Sequence, residues 1–314
     1  MDKLLKSFIN HLKFEINASI HTIRAYKSDI NDFFNFLKET GYIQSDNDFK
    51  PDEIKHITIR GFIGNLLKRK LDKTSINRKL SSLRTFFDFL AREGFCENNP
   101  AKQTMSPKIP VKTASFLSMD DILFLLDSAA LEKGNLGIRN KTIFEMLYGT
   151  GIRVGELVTL DLNDVDSNEK IIYVKGKGRK DRIVPFGRKC KEAISSYLTV
   201  RNELLKKNKK PQKSDANALF LNNSGRRITT DGVRFVLKKF LEKISLHRKA
   251  TPHTIRHTTA SHLLDSGADM IIVKELLGHK NLATTQKYTH VTVDKLIREY
   301  DKAHPRGKMN VNKK

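Results

Sequence analysis

Acidic residues are scarce relative to basic ones: 35 Asp and Glu stand against 58 Lys and Arg, for a formal charge of +23. A chain so positive points to a polyanionic partner, nucleic acid first and an anionic membrane surface second. Long hydrophobic runs are also missing. None approaches the roughly 18–20 residues that a spanning helix needs, so a helical membrane protein is not expected. The opening stretch, MDKLLKSFINHLKFE, is amphipathic and charged throughout and does not read as a signal peptide. Only two cysteines occur, Cys96 and Cys190, in no CxxC pattern; they suit a reducing cytosol and read as structural. HExxH is absent, and His257 and His262 are five apart rather than the four that share a helix face, so no metal site is read. No internal repeat is present.

At 314 residues the chain has length for two domains with their own cores. Residues 1–105 read as helices only. Leu4, Leu5, Phe8, Ile9 and Leu12 form one apolar stripe, and Ser19 is placed to cap a second helix that Gly41 ends. Ile54 to Leu67 suggest a third, and Thr74 or Ser75 would cap a fourth that stops near Gly94. Arg24 and Lys27 on the second helix, and Arg78, Lys79, Ser82 and Arg84 on the fourth, make basic, hydroxyl-bearing faces suited to a DNA groove. The alternative is an ordinary solvated face. Residues 106–115 fall within a proline-containing stretch, NNPAKQTMSPKIPVKTA, that reads as an interdomain linker kept positive by Lys108 and Lys112.

Residues 116–300 read as a mixed domain, followed by a basic tail over 301–314. Ser118 with Asp120 and Asp121 opens a helix; Ile171–Val174 and Ile183–Phe186 flank GKGRKD as a β-hairpin. Helices are expected near 187–206, 230–244, 254–266 and 269–277, and the lysine-rich run Lys206–Lys213 reads as a surface loop.

The chemistry concentrates near the end. His253 and Arg256 lie three apart on an expected helix, with His279 after a glycine and Tyr288 nine residues on. Two imidazoles, a guanidinium fork and a phenol are what attack on a phosphodiester requires. A phenol is a poor nucleophile at neutral pH, its unperturbed pKa being about 10, and so depends on such surroundings. Upstream, GTGIRVGEL places Arg153 at the opening of a helix, with Glu156 three residues on as a partner for its guanidinium. An arginine there opposes the helix dipole unless an anion lies between them; the plain alternative is an Arg–Glu pair across one turn. The hairpin adds Lys175, Lys177, Arg179, Lys180 and Arg182 between glycines that permit close approach to a backbone.

Taken in order, HTIRHTTASHLLDSGAD, LLGH and TTQKYTH resemble the C-terminal signature of the tyrosine recombinases, the phage-integrase family. GTGIRVGEL matches that family's GxRxxEL, and VKGKGRKDR its GKGxKxR hairpin. The resemblance extends over nearly the whole chain, and the ending YDKAHPRGK is similar to that of the Xer group. Ile255 and Lys280–Asn281 are small departures that touch no catalytic role. The resemblance implies a mainly α fold with a small β-sheet: a two-domain clamp with a helical, SAM-like core-binding domain and a mixed α/β catalytic domain. It implies Tyr288 as nucleophile, Arg153, Arg256, His253 and His279 around the phosphate, Lys177 as general acid and Glu156 as companion of Arg153. Lys175, Arg179 and Lys180 become DNA contacts. The implied partner is a double-stranded recombination site, cut and rejoined by a homo- or hetero-tetramer acting on two sites. The segment after Tyr288 would dock on a neighbour. An accessory DNA translocase, a cytoplasmic location and the absence of cofactor, metal and membrane belong to the same picture. The role is dimer resolution of chromosomes or plasmids, with mobile-element integration, a type IB topoisomerase or a purely architectural DNA binder as the rivals.

Overall fold

The computed structural model describes residues 1–109, 116–175, 181–246, 250–278 and 293–306, with the main chain alone for 293–295. The chain divides into two compact units, Met1–Val111 and Lys112–Lys314. Residues 110–115 of the expected linker lie outside the described residues.

The first unit is built from α1 (Asp2–Phe14), α2 (Ile20–Glu39), α3 (His56–Lys68) and α4 (Lys73–Arg92). Ser19 caps α2 by accepting from the Thr22 N–H, and Gly41, at φ 72°, turns the chain out of it. The cap of α4 is Asp72, not Thr74 or Ser75. Its carboxylate accepts from both of their backbone N–H groups, a charged acceptor at the positive end of the helix. Phe8, Phe33, Phe62, Phe86 and Phe87 fill the core and meet mostly edge to face.

The basic face expected on α4 is largely turned inward. Asp29 of α2 is fully buried, and Lys79 Nζ and Ser82 Oγ donate to it at 3.1 and 2.8 Å; Arg78 pairs with the same carboxylate. Arg84 donates to the carbonyls of Ala101 and Thr104 at 3.1 and 2.7 Å. A buried carboxylate must be neutralised, which Lys79 and Arg78 do with Ser82 adding a hydrogen bond, while Arg84 is tied to backbone carbonyls; Lys79, Ser82 and Arg84 are therefore internal connectors rather than a free groove-facing row. Arg24 and Lys27 differ. Both are exposed on α2, beside an open depression also lined by Ser28, Asn31 and Asn35.

The second unit holds α5 (Met119–Ala130), α6 (Gly134–Thr150), α7 (Val154–Thr159), β1 (Val165–Asp166), β2 (Ile171–Val174), β3 (Arg182–Pro185), α8 (Arg188–Lys206), α9 (Lys213–Asn217), α10 (Thr230–Lys243), α11 (Pro252–Asp265), α12 (Met270–Leu277) and α13 (Val293–Ala303). The fold is mainly α with one small antiparallel sheet in the order β1-β2-β3. Ile172 faces Val184 and Val174 faces Arg182; Ile172, Val174 and Val184 are buried while Tyr173 on the other face is exposed. Helix α6, buried on all sides from Thr142 to Thr150, is the core element, packed by α5, α8 and α11. It runs through Gly149 to Thr150 and is closed by Gly151 at φ 60°. Among the described residues no helix is long and apolar enough to cross a membrane.

Residues 301–306, expected in a basic tail, belong to the body of this unit. Ala303 and His304 are buried, His304 stacks on Tyr300, and Arg306 reaches Glu145 at 3.4 Å. Helix α13 packs against α11, α12 and β3 of its own chain. Its buried face of Leu296, Tyr300 and Ala303 supplies the reason.

Candidate active site

Three guanidinium groups converge on the end of one helix. Helix α12 closes at Gly278, φ 64°, leaving its last carbonyls without intrahelical partners. Arg182 Nε donates to Leu276 O at 3.1 Å, Arg256 Nη2 donates to Leu277 O, and Arg153 Nη2 donates to Gly278 O at 3.0 Å. The carbonyl end of a helix is its negative pole, which favours cations there. The same geometry brings Arg153 and Arg256, 103 positions apart by their numbers, to Gly278 and Leu277, the two residues that precede His279.

Arg256 sits on α11 and is buried, its other arm donating to Gly151 O at 2.6 Å. Burial, reinforced by the charge of Arg153, brings its pKa down to about 10, so it remains a cation at neutral pH. Its helix also carries His253, which is exposed. The two residues therefore share a helix but not an environment. His253 Nε2 lies 3.0 Å from Nε2 of His257, so one ring donates and the other accepts. Desolvation, then the charges of His257, Arg256 and Arg153, lower the His253 pKa and keep the ring neutral and able to take a proton. His257 escaped the sequence reading as a neighbour of His253, although their spacing of four places both on one helix face.

Arg153 caps α7 and is half exposed. Its N–H donates to Glu156 Oε2 at 2.8 Å and its Nη1 to Glu156 Oε1 at 2.9 Å, so the acidic companion neutralises the helix start in place of an external anion. Glu156 is shared. Arg182 grips it with both arms, each at 2.9 Å. Arg182 stood in the sequence only as one of the hairpin's basic residues, and nothing local distinguished it. Lys175 is exposed and paired with Asp164 at 3.2 Å. Lys177, Arg179, Lys180, His279 and Tyr288 lie outside the described residues. Among the described residues, no three His, Cys, Asp or Glu side chains are grouped as metal ligands would be.

Desolvation alone would raise the Glu156 pKa. The hydrogen bonds from Arg182 and the Arg153 N–H, with the charge of Arg182 and a further hydrogen bond from the Arg153 guanidinium, outweigh it and hold the carboxyl at about 2. With the folded value below the unfolded one, the carboxylate's contribution is complete above the ordinary glutamate value of 4.5 and is lost as pH falls toward 2. Glu156→Gln should therefore remove a pH-dependent increment on the order of 3 kcal/mol in that window. Denaturant titrations at stepped pH would show it; parallel curves for wild type and variant would dismiss the carboxylate as a source of stability.

The family model described as phage integrase family matches residues 115–295, and that of the phage integrase N-terminal SAM-like domain matches residues 5–94. The chain is 44% identical over 304 residues to the tyrosine recombinase XerC of Thermodesulfovibrio yellowstonii, covering 97% of each protein. It is 40% identical over 311 residues to the XerC of Oceanobacillus iheyensis, covering 99% of this chain and 98% of that one. Among solved structures, it is similar in fold to the XerH site-specific recombinase bound to its difH substrate. The TM-score is 0.65 at 21% identity, over 94% of this chain and 82% of that one.

Proposed function

The chain belongs to the phage integrase family and is an Xer-like tyrosine recombinase, and from that premise we propose that Tyr288 attacks the scissile phosphate of a double-stranded recombination site. The phenolic oxygen bonds to phosphorus as the bond to the 5′ oxygen breaks, leaving a 3′-phosphotyrosine and a free 5′ hydroxyl. Rejoining reverses the exchange on a new 5′ hydroxyl. One phosphoester replaces another, so the bond energy is retained and no ATP is consumed.

The observation that carries this reading is the convergence of Arg153 and Arg256 at the end of α12, directly before His279. Preorganised donors of that kind stabilise the charge that builds on the non-bridging oxygens in the pentavalent transition state. His253, held neutral, takes the phenolic proton, and His279 adds a donor. Lys177 protonates the departing 5′ oxygen; Arg24, Lys27, Lys175, Arg179 and Lys180 contact the duplex. Two sites are bridged by four protomers, alike or of two kinds. The cellular task is resolution of chromosome or plasmid dimers in the cytoplasm, at partition and cell division, with a DNA translocase as accessory.

Covalent trapping on a suicide substrate, nicked so that the cleaved end diffuses away, tests the reading. A protein–DNA adduct through Tyr288 is expected; its absence on every candidate site would leave only an architectural DNA binder. Relaxation of supercoiled DNA without a partner site would favour the topoisomerase alternative.

Lys177→Ala should be rescued by a substrate whose 5′-bridging oxygen is replaced by sulfur, because a thiolate leaves without a proton. The same substrate should not restore Arg153→Ala, whose defect is charge stabilisation. Equal impairment of Lys177→Ala on both substrates would assign Lys177 to DNA positioning and move the acid role to Lys175 or Lys180.

A further inference from the structure

Arg182 is the first residue of β3, paired across the sheet with Val174 at the end of β2 from which the Lys177 hairpin departs. Its guanidinium leaves the sheet. Two arms close on the Glu156 carboxylate at 2.9 Å each, and Nε donates to Leu276 O at 3.1 Å. The side chain is 14% exposed, as is that of Glu156. Behind it lies Gly278: a Cβ built there would come within 3.2 Å of Nε, Nη1 and the guanidinium carbon, so the plane of Arg182 is packed on glycine backbone. Nε, both terminal nitrogens and one face of this guanidinium are thus engaged by its own chain. One planar group joins the base of the hairpin, the start of α7 and the end of α12.

We propose that Arg182 is a positioning residue for cleavage: it holds the Glu156 carboxylate so that Arg153 is oriented rather than captured, and it sets the end of α12 from which His279 follows. The consequence is a competition between two arginines for one carboxylate. With Arg182 in place, Glu156 divides itself between the two guanidinium groups, and Arg153 keeps an arm for Gly278 O and, when DNA is bound, for the phosphate. Without Arg182, the buried carboxylate has Arg153 as its remaining strong partner and draws it away from the phosphate. A lysine cannot replace it, since one ammonium does not supply a planar fork and a third donor directed at Leu276 O.

The inference rests on Arg153 being a phosphate-binding catalytic residue, and the test separates the two. Single-turnover cleavage of a suicide substrate is measured with enzyme in excess, alongside DNA affinity, for wild type, Arg153→Ala, Arg182→Met, Arg182→Lys, Glu156→Gln and the Arg182→Met/Glu156→Gln pair. Arg182→Met should slow cleavage of bound DNA by about tenfold or more, the scale of a small misplacement of a charge-stabilising group, with affinity changed less than about twofold. Arg182→Lys should recover little. In the Glu156→Gln background the same change should cost less than about threefold, because the carboxylate that misdirects Arg153 is gone. Equal cost in both backgrounds, or a loss of affinity matching the loss of rate, would overturn the proposal; the latter would make Arg182 a direct DNA contact. Should Arg182→Met not fold, Arg182→Lys carries the same comparison with and without Glu156→Gln. Normal cleavage by Arg153→Ala would overturn the active-site reading itself, whereas an inactive Arg153→Ala beside a normal Arg182→Met would overturn only the role of Arg182.

Discussion

Tyr288→Phe should form no covalent adduct with a suicide substrate while binding the same DNA with nearly wild-type affinity. The change deletes one hydroxyl and no charge. Affinity for duplex DNA is dominated by counterion release on neutralising phosphates, and a chain of formal charge +23 keeps that contribution intact. Cleavage has no substitute for the nucleophile, so the expected loss is complete rather than partial. Denaturing gels with end-labelled DNA read adduct formation directly, and band shifts on the same substrate read binding. The salt dependence of binding should be unchanged as well.

An adduct in the Tyr288→Phe protein would remove Tyr288 from the mechanism, and the fold narrows where the reactive phenol would then lie. From sequence alone Tyr300 is the next suspect, twelve residues on by its number. It is 2% exposed, donates its hydroxyl to Gly149 O at 2.6 Å, and burial pushes its pKa well above the ordinary phenol value. Tyr148 is also buried, its hydroxyl against His262 Nδ1 at 3.0 Å and its pKa pushed well above the ordinary phenol value by desolvation. Tyr197 is buried as well and accepts from the Leu221 N–H. Tyr173, exposed on β2, is the remaining described phenol of the catalytic unit, so peptide mapping of any residual adduct should find Tyr173 or nothing.

What was legible in the sequence is what local physics decides. Ser19 and Ser118 cap their helices as their spacing from the first apolar residues suggests, and Ser118 with Asp121 forms a capping box. The hairpin strands, the order of helices and the Arg153–Glu156 contact all depend on residues within a few positions of one another. The errors share the opposite property. Lys79 and Ser82 look like a solvated face until Asp29, 50 and 53 positions away, is found buried against them. Arg182 looks like one more hairpin cation until Glu156, 26 positions away, closes on it. A charged side chain carries no local sign of whether its counter-ion is water, phosphate or a distant carboxylate. Likewise the tail's charge pattern conceals that His304 is fully enclosed between Tyr148 and Tyr300, because aromatic packing of that kind is assembled only in three dimensions.

Arg256→Ala should slow cleavage by about 100-fold or more, the scale of removing one preorganised donor from a developing oxyanion. The position adds a second cost. Gly151 O and Leu277 O both lose their donor in a buried place, and each unmet carbonyl costs about 1–3 kcal/mol, so the catalytic unit should also melt earlier. Arg256→Lys separates the two effects. One ammonium cannot satisfy carbonyls that terminate two different helices and still present a donor to phosphate, so cleavage should remain impaired. Its pH dependence should also change. Burial and the neighbouring Arg153 already bring the arginine to about 10, and the same surroundings acting on lysine, which starts about two units lower, would discharge it near neutrality. Cleavage by Arg256→Lys should then fall as pH rises from about 7 to 9, where the wild-type arginine stays charged. A flat profile at near-wild-type rate would show that position 256 needs only a positive charge, and the two-armed clamp between α6, α12 and the phosphate would have to be abandoned.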